Sequence, residues 1–277
     1  MQARGATLKF GPNGRSMAVS PQGWQNLHVI LVFCAFGAEF GPLHARLRDS
    51  THLGLDGLVG SCGRVGSQRV TLVKTGVGMR RARETAGRVL DALRNVDLVA
   101  TTGVAGALHH GLQVGGIVLA DRLMTRSEES FHPQRVLEVP PQPFRRFARA
   151  LDAGAIAYSE GGLLTSRRAI ATVADKRLAA VQSGALAVDM ESAVIAEEAH
   201  RRGLPFVCLR AILDAADDEL AGAALTDENG RVRPLAAAKT MVTNPSMLIG
   251  AARLMRNLRT STRILAAVTE SVLQALE

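Results

Sequence analysis

The chain has 277 residues, 47% of them hydrophobic and 4% aromatic, with a formal net charge of +8. That length and apolar share suit one large α/β domain with a continuous core. No apolar stretch reaches the roughly 18 residues that cross a bilayer. The arginines are scattered rather than striped, and few rings exist for unpaired bases to stack on, so a membrane span and a nucleic-acid partner are both excluded.

Residues 1–26 mix Gly, Pro, Ser and basic residues without periodicity and read as a flexible leader, with Met17 as an alternative start of translation. No apolar segment with a cleavage site follows, so a cytoplasmic location is expected. A single domain then spans 27–277. Leu27 to Ala35 and Val70 to Lys74 read as strands, Ala82 to Leu93 as a helix, and Val96 to Thr101 as a buried strand. Gly116 to Ala120 is a further strand, and the polar, Pro-containing stretch from Arg122 to Pro143 reads as a long loop. Ala171 to Gln182 (helix), Ala185 to Asp189 (strand), Ser192 to Arg202 (helix) and Leu204 to Ile212 (strand) repeat the alternation. After a polar turn from Thr226 to Arg233, an extension beginning near residue 232 has helical spacing, interrupted at Asn244-Pro245, and is expected to form two or three helices. Such alternation predicts a three-layer α/β sandwich with a central mixed sheet, and ligands at the carboxyl ends of its strands.

Five acidic or glycine-rich segments fall at those strand ends. Thr102-Gly103-Val104-Ala105-Gly106-Ala107-Leu108 reads as a turn whose glycines let backbone approach a ligand. In Val188-Asp189-Met190-Glu191-Ser192, Glu191 can accept from both hydroxyls of a vicinal diol, with helix capping by Asp189 or Glu191 as the plain structural alternative. In the run Arg210 to Asp218 an apolar strand stops at Asp214, whose acidity burial would weaken enough for it to carry a proton to a departing base. Glu39 follows the first strand, and two separated carboxylates are the usual division of labour around a glycosidic carbon. Thr75-Gly76-Val77-Gly78-Met79-Arg80-Arg81 joins a strand to a helix and offers backbone amides with Arg80 or Arg81 to an anion such as phosphate. It lacks the spacing of a dinucleotide or Walker motif, and the adjacent His109 and His110 do not have metal-ligand spacing. Cys34, Cys62 and Cys208 form no pairable framework and read as buried thiols.

Taken in order, these segments resemble the purine nucleoside phosphorylase and nucleosidase superfamily, above all its methylthioadenosine/adenosylhomocysteine nucleosidases, over about residues 27–220. TGVGMRRA is similar to that family's SGIGKVNAA turn, TGVAGALHHGLQVGGIVLAD to TGSAGGL followed by VGDIV, VDMESAVIAEEA to its DMEG/DMES helix, and LRAILDAAD to its R-x-x-S-D strand end. The resemblance implies cleavage of a purine N-glycosidic bond, adenine being the favoured base, by water or by phosphate as co-substrate, without another cofactor or metal, in a homodimer or larger homo-oligomer. Glu39 would activate the attacking water, Glu191 would accept from the ribose hydroxyls, Met190 would pack under the sugar, and Asp214 would meet the purine ring nitrogen. Gly78, Val104, Ala105 and Gly106 would line the substrate, with Gly76, Arg80 and Arg81 as the phosphate candidates. Val104 and Leu213 stand where relatives have Ser, and Gly116 where they have Asp. Residues 221–231 and the helical tail resemble the hopanoid-associated phosphorylase branch, which would imply an apolar 5′ substituent. The alternative from another class is a nucleoside-binding protein of the same fold without turnover.

Overall fold

The structure, a computed structural model, describes residues 29–220 and 246–276. The leader, the polar turn at 226–233 and the extension up to 245 lie outside the described residues.

In chain order the elements are β1 (Val29–Cys34), α1 (Gly37–His44), β2 (Arg48–His52), β3 (Val59–Val65), β4 (Gln68–Lys74), α2 (Met79–Ala92), β5 (Val96–Ala107), β6 (Ile117–Arg126), β7 (Pro133–Glu138), α3 (Pro141–Ala153), β8 (Tyr158–Thr165), α4 (Val173–Ser183), β9 (Ala185–Asp189), α5 (Ser192–His200), β10 (Phe206–Asp214) and α6 (Ser246–Ala275). The ten strands form one mixed sheet. β1 runs parallel to β4 and β5, and β10 runs parallel to β5. β1, VILVFC, is buried at all six positions, as a continuous apolar run must be when both sheet faces are covered. Two helical groups supply that cover: α1 and α3 pack with α6, and α2 packs with α5. The fold class read from the alternation is therefore present.

β5 organises the rest. It pairs with β1, continues along β10 as far as Gly106, and meets β9 antiparallel at Gly106 and Ala107. Because β10 also pairs with β6, β6 with β8 and β8 with β9, the five strands β5, β10, β6, β8 and β9 close a ring. Closure brings the end of β9 to the end of β5, although β9 would otherwise lie three strands away.

Three expectations need correction. The segment from Gly103 to Gly106 is strand rather than turn, because ladders on both sides carry β5 to Ala107. Residues 122–143 are not a loop: β6 runs on to Arg126, β7 pairs with it from Arg122↔Glu138 to Arg126↔Pro133, and α3 starts at Pro141. Its polar character has a simple cause, since β7 lies at the sheet edge, where one side faces solvent and a proline costs no ladder bond. β10 extends to Asp214, which is its last strand residue. In the tail, Ser246 to Ala275 form one 30-residue helix starting directly after Asn244-Pro245, and the part of the expected helices before that dipeptide lies outside the described residues.

Phe33, fully buried in β1 at the centre of the core, tests this arrangement. Phe33→Ala should cost about 3–5 kcal/mol. A urea unfolding curve should show a lower midpoint with an unchanged slope.

Candidate active site

The carboxyl ends of β1, β4, β5, β9 and β10 surround a cavity of about 170 Å³. Glu39, Val104, Ala105, Gly106, Met190, Glu191 and Asp214 all line it, with Phe36, Ile170, Leu213 and Leu220 among their apolar neighbours. Carboxylates up to 175 positions apart in the chain, Glu39 and Asp214, are thus brought together by the ends of strands.

Glu39 sits in the first turn of α1 and is almost wholly buried. Its Oε2 accepts from the backbone N–H of Ala35 (2.7 Å) and Phe36 (3.4 Å), and its Oε1 from that of Val104 (2.8 Å). Burial pushes its carboxyl above the ordinary range, while Arg210 and those three N–H groups oppose the shift. The group is a held, weakly solvated base, the form suited to taking a proton from water. Gly103 makes the approach possible. A Cβ there would lie 2.6 Å from Glu39 Oε1 and would run into Arg210 Nη1.

Glu191 is the residue at the N-terminal boundary of α5. Its Oε1 accepts from Gly78 N–H at 2.7 Å, and this holds Gly78, whose φ of 98° needs glycine, against Glu191. Burial, then the neighbouring Asp189 charge, push Glu191 up from 4.5 to about 8. Helix capping falls to Asp189 instead. Its Oδ2 accepts from Ser192 N–H (3.0 Å) and Arg210 Nη2 (2.8 Å), and its Oδ1 from Thr165 Oγ1 (2.7 Å).

Asp214 closes the opposite side of the cavity. Burial raises its carboxyl above the ordinary range, and Lys176 opposes that shift. Lys176, fully buried on α4, forms an ion pair with Asp214 Oδ2.

The anion candidates behave differently. Arg80 is exposed and paired with Glu84 (3.1 Å). Gly76 spends its N–H on Ala35 O (2.8 Å), and Arg81 packs its side chain beside Gly76. None of the three lines the cavity. Two charged residues escaped the sequence reading as site residues, Arg210 and Lys176. Arg210 was visible within the R-x-x-S-D-like segment, whereas nothing in the sequence separates a buried Lys176 from an ordinary helix-surface lysine. Among the described residues no group of three His, Cys, Asp or Glu side chains is arranged to hold a metal ion, and no helix is long and apolar enough to cross a membrane.

Comparison with known proteins gives a consistent family. The phosphorylase superfamily profile matches residues 29–242. The 5′-methylthioadenosine/S-adenosylhomocysteine nucleosidase of Actinobacillus succinogenes is 30% identical over 203 residues, covering 67% of this chain and 85% of that protein. The protein of the same name from Geobacillus thermodenitrificans is 28% identical over 197 residues, 67% and 83% of the two chains. Among solved structures, the S-adenosylhomocysteine nucleosidase of Streptococcus pyogenes in complex with 5-methylthiotubericidin superposes with a TM-score of 0.71 at 21% identity, covering 90% of this chain and 97% of that one. The futalosine hydrolase mutant of Helicobacter pylori gives a TM-score of 0.70 at 19% identity, with 89% and 98% covered. These two likenesses establish the shared fold.

The Glu191 shift has a stability consequence with a definite sign. Its folded value lies above the unfolded one, so the stability that its neutral form contributes is complete below 4.5 and is lost as pH rises through about 8. Glu191→Gln, which cannot ionise, should therefore melt higher than the unaltered protein near pH ~9 and level with it near pH ~4. The gain is roughly 2–4 °C for each kcal/mol relieved. Melting curves that keep the same offset at both pH values would show that Glu191 ionises in the folded protein without cost.

Proposed function

The chain belongs to the phosphorylase superfamily and is a nucleosidase or nucleoside phosphorylase; from that premise we propose that it hydrolyses the N-glycosidic bond of an adenine nucleoside with an apolar 5′ substituent. The observation that carries this reading is the meeting of Glu39, Glu191 and Asp214 around one cavity whose other lining, Asp189 aside, is mainly apolar.

Each carboxylate then has a separate task. Glu191 accepts from the ribose hydroxyls and fixes the sugar, with Met190 beside it in the cavity wall. Glu39 takes a proton from the water that attacks C1′. Asp214 gives a proton to the purine as the C1′–N9 bond breaks and its electron pair passes into the ring. The positive charge that grows on the sugar lies close to the buried carboxylates, where weak solvation strengthens the attraction.

Electrostatics favours water over phosphate. Arg210 is the cation adjoining Glu39 and Glu191, and Asp189 already pairs with it at 2.8 Å. A phosphate dianion beside C1′ would face Glu39 and Glu191, while Arg80 is turned outward to Glu84. The apolar lining of Phe36, Val104, Ile170, Leu213 and Leu220 supports a 5′ substituent without charge. The relatives named as methylthioadenosine/adenosylhomocysteine nucleosidases support hydrolysis, and methylthioadenosine carries an uncharged 5′ thioether.

The test is base release from methylthioadenosine, adenosylhomocysteine and inosine, each with and without inorganic phosphate. Adenine should appear without phosphate, fastest from the thioether with the small apolar 5′ group. Glu39→Gln should lower that rate by on the order of 100-fold or more while nucleoside binding persists. A strict requirement for phosphate would overturn hydrolysis. Binding of nucleosides with no release of base from any of them would make the protein a binding module.

A further inference from the structure

Lys176 has no part in the chemistry described above, yet its environment is more specific than that of any other lysine among the described residues. Its side chain is 0% exposed, at the fourth position after the Thr172 that caps α4. Its Nζ donates to Asp214 Oδ2, to Ala215 O at 2.8 Å and to Asp218 O at 2.8 Å. Three acceptors match the three protons of an ammonium group, and a neutral amine would leave one of them unpaired. An ammonium taken out of water is costly unless its partners repay the loss of hydration. A purely structural lysine has no reason to choose, as its one acidic partner, the acid that faces the cavity.

We propose that Lys176 is a positioning residue for departure of the base: it holds Asp214 by Oδ2, leaves Oδ1 to meet the ring, and stabilises the carboxylate that remains once the proton has gone. The inference rests on the hydrolytic reading above. In that reaction water oxygen joins C1′ and loses a proton to Glu39, the C1′–N9 electron pair enters the purine, and the Asp214 proton moves to a ring nitrogen. Asp214 is then a buried anion, and Lys176 is the cation in contact with it. Without Lys176 the acid would keep its proton too firmly to transfer it well, since transfer is most effective when the donor titrates near the working pH.

The other charges around the pair are accounted for. Asp218, on the same turn as Ala215, is paired with Arg253 of α6 at 3.1 Å, and Asp217 pairs with His110 (2.8 Å) and Arg177 (3.5 Å). Asp175 on α4 is engaged by Thr172 Oγ1 (2.8 Å). Across the cavity stand Asp189 and Glu191, the former tied to Arg210. Lys176 is the cation that opposes the effect of burial on Asp214, and Asp218 adds to that effect.

The experiment compares two substrates with the same 5′ group in the full-length protein: the adenine nucleoside, whose base leaves as a protonated ring, and the 4-nitrophenyl riboside, whose phenolate leaves without a proton. Lys176→Met should lower kcat on the nucleoside by on the order of 100-fold, move the alkaline limb of its pH profile upward, and leave the nitrophenyl substrate close to the unaltered rate. Lys176→Arg should recover part of the loss. If the methionine variant does not fold, Lys176→Gln, which retains a donor, takes its place in the same comparison. Equal losses on both substrates, or an alkaline limb that stays in place, would overturn the role of Lys176 while leaving hydrolysis intact. An unaltered protein that cleaves neither substrate would overturn both readings.

Discussion

One buried guanidinium makes the Glu39 and Glu191 side of this site possible. Arg210 lies in the interior on β10, donates to Asp189 and Ser192, and sits beside Glu39 and close to Glu191. Burial works against its charge, but Asp189, followed by Cys208, Glu39 and Glu191, outweighs that effect, so it stays protonated. Asp189 and Glu39 push the Glu191 carboxyl up, and Arg210 opposes the rise at both Glu39 and Glu191. Removing one partner of such a buried pair typically costs about 3–5 kcal/mol, because the other charge is left uncompensated.

The architecture follows from that need. Arg210 can reach Asp189 and Glu39 only because the ring of five strands brings β9 and β10 to the same end of β5, and because Gly103 has no side chain in the path. The glycine-rich stretch of β5 is strand rather than turn: Gly103 leaves room for charged side chains, and Val104 to Gly106 line the cavity. The capping of α5 by Asp189 serves the same end, since it anchors the acid that pairs with Arg210 and leaves Glu191 free to accept from Gly78.

The cavity is divided into two electrostatic regions with separate cations. Arg210 balances the acids of the sugar side, and Lys176 balances Asp214 on the side assigned to the base. Environments that push neighbouring titratable groups apart are how a single site provides an acid and a base at one pH. Between these regions the lining is apolar, which limits water and leaves shape to decide what occupies the remaining space.

Much of this was legible in the sequence, and the reasons are local. Apolar runs such as Val29 to Cys34 can only be buried strands, alternation with amphipathic helices demands a largely parallel sheet with helices on both faces, and acids stranded at the ends of those runs mark the ligand edge. Glu39, Glu191 and Asp214 were found in that way. What escaped was whatever depends on partners distant in the chain. The continuation of β5 through Gly106, the edge strand β7 and the pairing of Lys176 with Asp214, 38 residues away, are each fixed by a neighbour that local pattern does not name. Periodicity reports which face of an element is buried, but only the closed ring of strands decides which charges are buried against each other, because that energy depends on distance in space and not on position in the chain.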